Sequence, residues 1–517
     1  NNGTATGNWN TTDANWTGTT WNNATPDNAV FGAAGIGTVT LTQPITVGNI
    51  TFGNPGYTIA ADTLNLSSST INAAADAIIS SVLAGTTGMT KSGAGTLVLT
   101  ATNTYTGGTI INNGTVELSS SSGTDASIRG TVTVNAGGIL SVGGSQAFSG
   151  FGRLNNPSGG RISTLNITGG IVTNTIANAA IVDATVNMTG GILSSTNTTN
   201  TINWRNTTLN SLASAETATV SSQITLRNDF VVANLVIDTA NGAAATDLTV
   251  SGVIGQASAT NAPGLIKSGD GTLELTAINT YTGGTTVNGG NLLLNHSTTN
   301  AAIRGTVTVN TGATLTVSGA SFGGFSDTGS KIDTLNVVGG NVVVVGQKVT
   351  KDAAFNLTGG TISGGTINLR NTALNSLASA TTSTVSSNLM IRPDFLTPTL
   401  TIDVADGAAA TDLRVNGSIQ QSTPSGNLIK TGTGTLVIAN NCSYTGTTTV
   451  SGGTLATGWY LASNHVTVAS GATLAGNGGI GGNVTIQSGG HHALAVAASS
   501  LSQVTRQIGG SLTWESG

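Results

Sequence analysis

The sequence predicts an all-β fold, a parallel β-helix (β-solenoid) wound from repeated strand-turn rungs, and three observations predict it. The stretch from Lys267 to Asn295, KSGDGTLELTAINTYTGGTTVNGGNLLLN, returns from Lys91 to Ser119 and again from Lys430 to Gly458. Within each copy the apolar runs are short, alternate with Thr and end at Gly or Asn, which is the pattern of strands and tight turns. No segment sustains a 3.6-residue apolar period, so crossover helices are not expected. A unit this small cannot bury its own apolar face and must stack on near-copies of itself.

Taken in order, residues 1–37 are a Trp-rich opening segment holding Trp9, Trp16 and Trp21. They are expected to cap an open end of stacked strands, where apolar core and unpaired backbone groups would otherwise be exposed. From residue 38 a continuous β-helix to residue 517 is expected, beginning with the alternating runs at Val39, Ile45, Ile50, Tyr57 and Leu64. Ala73 to Leu83 comes nearest to a helical turn but suits a rung equally well. Ile128 to Asn135 returns as Ile303 to Asn310, Thr164 to Gly170 as Thr334 to Gly340, Arg205 to Ala215 as Arg370 to Ala380, and Asp238 to Leu248 as Asp403 to Leu413. Super-repeats therefore start near Lys91, Lys267 and Lys430, the third stopping at Gly517 after two ordinary-looking rungs at Asn483 and Ser511. Two-residue Asn-Gly hairpin signals are missing at most turns, which favours the β-helix over an antiparallel sandwich or barrel. Val132 and Val307 are expected to point inward and Thr306 outward, asparagines to stack into amide ladders, and the rungs to form one rod with strands about 4.8 Å apart.

Charged residues are 7% of the 517, with a net charge of −5, against roughly 25% charged in ordinary soluble chains. No basic face is available, so nucleic acid is not an expected partner. No apolar run approaches the length of a membrane helix. The chain opens on Asn-Asn-Gly without Met, as a processed, exported protein would. Cys442, the one cysteine, excludes an intrachain disulfide and stands where the other copies carry Asn103 and Asn279.

Candidate chemistry is sparse. Arg227, Asp229, Asp238 and Asp247 contain the carboxylates a glycosidase or lyase would need, but all four return as Arg392, Asp394, Asp403 and Asp412. Recurrence with the repeat points to structural corners; Asp238, Asp247, Asp403 and Asp412 remain weak candidates for Ca²⁺. His491 and His492 are adjacent and so face opposite ways on a strand, a poor chelate. Tyr105, Tyr281 and Tyr444 occupy matching corners and are read as packing on the next turn, with sugar stacking as the alternative. No catalytic residue and no cofactor is assigned.

The string Gly-Thr-Leu-x-Leu-Thr, then Asn-Thr-Tyr-Thr-Gly-Gly-Thr, then a closing Asn-Gly-Gly or Asn-Asn-Gly, resembles the autotransporter-associated β-strand repeat, also called the passenger-associated transport repeat. Thr96 to Gly114 and Thr272 to Gly290 match closely, while Thr435 to Gly453 departs at its Asn-Cys-Ser-Tyr corner. The resemblance implies a right-handed, secreted bacterial β-helix, outside the cell or at its surface, often adhesive or structural. No strand pattern of a translocating membrane barrel is visible. The expected function is an extracellular structural subunit that self-associates end to end into a filament or coat through Trp9, Trp16, Trp21 and Trp514. The alternatives are a surface adhesin, with cell-surface or matrix polysaccharide as a partner, and a polysaccharide-degrading enzyme.

Overall fold

The computed structural model describes residues 7–16, 19–119, 127–143, 161–177, 179–227, 234–258, 262–296, 300–319, 321–323, 331–392, 398–422, 425–494 and 506–515, and among these every regular element is a β-strand. The ladders between strands are parallel, and the long sheets step through the chain in sequence order, as a parallel β-solenoid requires. Ala73 to Leu83 contributes strands, not a helical turn. Contacts divide the chain into two compact units, Asn1–Pro263 with Gly271–Leu273, and Gly264–Asp270 with Glu274–Gly517.

In the first unit one sheet climbs through Thr38–Leu41, Tyr57–Ala61, Ala77–Ile79, Thr96–Leu99, Gly114–Leu118 and Gly138–Val142. A second climbs through Ile50–Phe52, Thr70–Ala73, Met89–Ser92, Thr109–Ile111, Gly130–Asn135 and Ile162–Thr168. Side chains alternate between the two faces of a strand, so every second residue of each rung enters the core. Leu97, for example, lies in register with Ala77 below and Val116 above, all buried. Trp9 belongs to a strand paired with Thr38–Leu41, so the first rung begins inside the segment read as a cap. Trp9 is 0% exposed and Trp21 4%; their rings lie 5.0 Å apart, with Trp16 at 4.8 Å from Trp9 and Phe31 at 6.0 Å. Phe31 in turn stacks on Phe52 at 5.1 Å.

The second unit repeats the plan. One sheet runs from Thr285–Val287 through Gly305–Asn310, Ile332–Val338, Ala354–Thr358, Ala373–Ser376, Thr399–Val404, Asn427–Thr431 and Thr447–Val450. Farther on, Leu512–Trp514 pairs with Asn483–Ile486, and Trp514 is solvent-exposed. Val132 and Val307 are fully buried, while Thr306 is exposed.

The outer face carries the amide ladders. Asn210 donates to Asn187 (2.8 Å), Asn187 to Asn166 (2.9 Å) and Asn166 to the Thr133 hydroxyl (3.3 Å). The second unit has the same series, Asn375 to Asn356 (2.8 Å), Asn356 to Asn336 (2.9 Å) and Asn336 to Thr308 (3.4 Å). With few charges to spread over the surface, these amides and hydroxyls supply its polarity.

Candidate functional site

The three long repeats build the same corner. In the first, an inward column reads Ile50, Ile71, Lys91, Ile111 and Val134 in successive register. Lys91 thus occupies an aliphatic position and has 0% exposure. Its Nζ donates to the carbonyl oxygens of Ser92 (3.0 Å), Gly93 (2.7 Å) and Asn113 (3.0 Å), matching the three N–H bonds of an ammonium. Gly93, at φ +78°, takes the left-handed conformation that glycine tolerates best and belongs to the corner whose carbonyls face inward. An isoleucine here would leave those buried carbonyls without donors, at a cost of about 1–3 kcal/mol each. Lysine is the residue that fills the column and satisfies them.

Lys267 donates in the same way to Ser268 (2.7 Å), Gly269 (2.8 Å) and Gly289 (3.1 Å). Lys430 donates to Thr431 (2.7 Å), Gly432 (2.9 Å) and Gly452 (3.1 Å). Burial pulls Lys91 and Lys430 down to about 8 from the ordinary 10.5, opposed by Asp76 for the first and by Asp403 and Asp412 for the second.

Aspartates complete the corners. Asp76 accepts the backbone N–H of Thr96 at 2.7 Å. Asp247 uses both oxygens, taking Gly242 N–H at 2.7 Å and Thr272 N–H at 2.7 Å; Asp412 takes Gly407 and Thr435 N–H, each at 2.8 Å. Asp247 and Asp412 thus each cap two backbone N–H groups of their corner. Asp238 and Asp403 stand on the outer face in register with Asn210 and Asn375, and Asp403 accepts the Thr431 hydroxyl at 2.6 Å. Among the described residues no group of three His, Cys, Asp or Glu side chains is placed to hold a metal ion. Asp229 and Asp394 lie outside the described residues.

Tyr105, Tyr281 and Tyr444 are inside the coil, at most 1% exposed, with their hydroxyls 2.6–2.7 Å from Thr109, Thr285 and Thr448. Burial raises all three phenol pKa values. Their faces are closed to a sugar, so the stacking alternative fails and packing on the next turn stands. Asn103 and Asn279 fasten the same turn: Asn103 accepts from Leu83 N–H (2.8 Å) and donates to Ser127 O (2.9 Å), and Asn279 donates to Ala302 O (2.9 Å). Cys442 replaces them at 2% exposure, and burial pushes its thiol up to about 11, which leaves it protonated and unreactive. His491 faces out while His492 faces in, in register with Leu474.

The corner's lysine role and Asp76 were missed from sequence. One signal was present, a lysine in the alternation at Met89 and Lys91 where every neighbouring rung has an aliphatic side chain.

Comparison with known proteins agrees with this geometry. The passenger-associated-transport-repeat model matches residues 89–118, 265–294 and 428–456, each span holding one buried lysine and one tyrosine. Over 159 residues the chain is 36% identical to the "Adhesin BmaC autotransporter" of Brucella suis biovar 1 (strain 1330), covering 28% of this chain and 5% of that protein. The chain thus spans about 5% of the length of that relative. No solved structure matches. The chain carries three passenger-associated transport repeats, which imply secretion to the cell surface, and is a distant homologue of an autotransporter adhesin.

Proposed function

We propose that this coil is an adhesive, non-enzymatic part of an autotransporter-type passenger, a scaffold that carries a contact surface away from the cell. The observation that carries this reading is the shared ancestry with an autotransporter adhesin over 159 residues. The outer face supports it. Its asparagine and threonine ladders offer uncharged donors and acceptors, suited to neutral cell-surface or matrix polysaccharide. The aspartates weighed for catalysis, Asp247 and Asp412, have both carboxylate oxygens engaged by backbone N–H groups. The filament reading asks Trp9, Trp16, Trp21 and Trp514 to meet another molecule; Trp9 and Trp21 are buried against the chain's own first rungs, which leaves the exposed Trp514 as its support.

The test is adhesion of beads coated with the purified chain to host-cell monolayers and to immobilised neutral polysaccharides, scored against beads coated with an unrelated β-protein. Retention several-fold above that background supports the proposal. Background retention on every surface, or release of reducing sugar from the polysaccharides, overturns it.

A further inference from the structure

We propose that the buried lysines are one-way latches: each holds its own rung only after the rung on its C-terminal side has seated, so these corners fix the order in which rungs lock together and come apart. The geometry of the first and third corners carries this. Two of the three acceptors of Lys91, Ser92 O and Gly93 O, are in its own rung, and the third, Asn113 O, is in the next. The set for Lys430 is divided identically, Thr431 O and Gly432 O against Gly452 O. Neither Nζ has a hydrogen-bond partner in the preceding rung. Asp403 and Asp412 reach Lys430 only as charges at a distance, and Asp76 stands to Lys91 in the same way.

Consider a coil missing the rung after Lys430. The ammonium would then keep two acceptors and turn its third N–H to the water that reaches the open end, and a charge is better solvated in water than half inside an apolar column. The lysine escapes by swinging out to water, which frees Thr431 O and Gly432 O together and undoes its own rung. Loss of the preceding rung leaves all three hydrogen bonds in place. In a solenoid, stability is a sum of rung terms and nearest-neighbour terms; here one neighbour term is asymmetric.

Lysine acylation reads this directly, without altering the latch. The full chain is exposed under native conditions to a water-soluble amine-acylating reagent, and labelling of Lys430 is followed by peptide mapping, with partly exposed Lys331 as the internal standard. Ile402, Lys430 and Val450 lie in one column on successive rungs. Val450→Ala, on the C-terminal side, is expected to accelerate Lys430 labelling at least tenfold. Ile402→Ala removes more carbon from the preceding rung, yet is expected to change the rate less than threefold. Equal acceleration by the two variants, or a larger effect from Ile402→Ala, overturns the latch. Should either variant fail to fold, Val450→Thr and Ile402→Val are read in the same way.

Discussion

Gly114 sits against the carbonyl oxygen of Gly93 one rung below: a Cβ on Gly114 would stand 2.5 Å from that oxygen. Gly114 also has φ +66°. Gly114→Ala is therefore expected to cost about 3 kcal/mol, from left-handed strain and the backbone clash together. Gly312 has φ +82° but nothing within 4 Å of its Cβ position, so Gly312→Ala should cost only about 1–2 kcal/mol. Native-state hydrogen exchange of Gly114–Leu118 and Ala313–Val317 measures both; equal costs would show that the stacked corner has room to yield.

Val307 is fully buried between Thr285 and Leu335 in register. Val307→Asp places a carboxylate among apolar side chains and is expected to destabilise its rungs by several kcal/mol. The exposed neighbour Thr306→Ser should stay within about 0.5 kcal/mol of the parent. Denaturant titration followed by circular dichroism separates the two.

Stability should depend on alkaline pH in two opposed ways. Lys91 and Lys430 have folded-state values near 8, below the ordinary 10.5, so between those limits the unfolded chain binds more protons and stability rises with pH. Tyr105, Tyr281 and Tyr444 are raised above 10, so the folded chain holds protons the unfolded chain releases, and stability falls as pH climbs beyond about 10. Thermal melts should show a maximum near pH 10. Lys430→Met should flatten the rising limb, and tyrosinate absorbance from the three buried rings should appear only with loss of the β-sheet spectrum.

Asp412→Ala removes the acceptor of two backbone N–H groups, Gly407 and Thr435. A loss of about 2–4 kcal/mol is expected, about 1–2 for each donor left unpaired. A calcium chelator should leave the melting temperature of the parent chain unchanged; a fall of several degrees on chelation would restore Asp403 and Asp412 as ligands.

Much of the fold was legible because side-chain alternation is the same in one rung as in the next. Val132, Val307, Thr306 and the asparagine ladders follow from period two and the recurrence of Asn beside Thr. The corners were less legible. Lys91 and Asp76 come to one corner only through stacking, without touching, and the distance along the chain between aspartate and lysine differs from copy to copy, Asp76 to Lys91, Asp247 to Lys267 and Asp412 to Lys430. No fixed spacing announces them. Tyr105 reads from sequence as packing on the next turn, with sugar stacking as the alternative because its corner is polar; a glycine corner turns carbonyls inward and leaves space inside that the ring fills.

Each interior asparagine of the outer ladders donates to the rung before it and accepts from the rung after it. The face therefore has a direction but no required length. A duplication that adds whole turns extends it without stranding an amide, whereas adding one residue inside a strand would swing the asparagines into the core and the valines into water. Whole turns are thus the unit in which such a chain can be lengthened or shortened over descent, and the paired series in the two super-repeats bear the mark of such a copying.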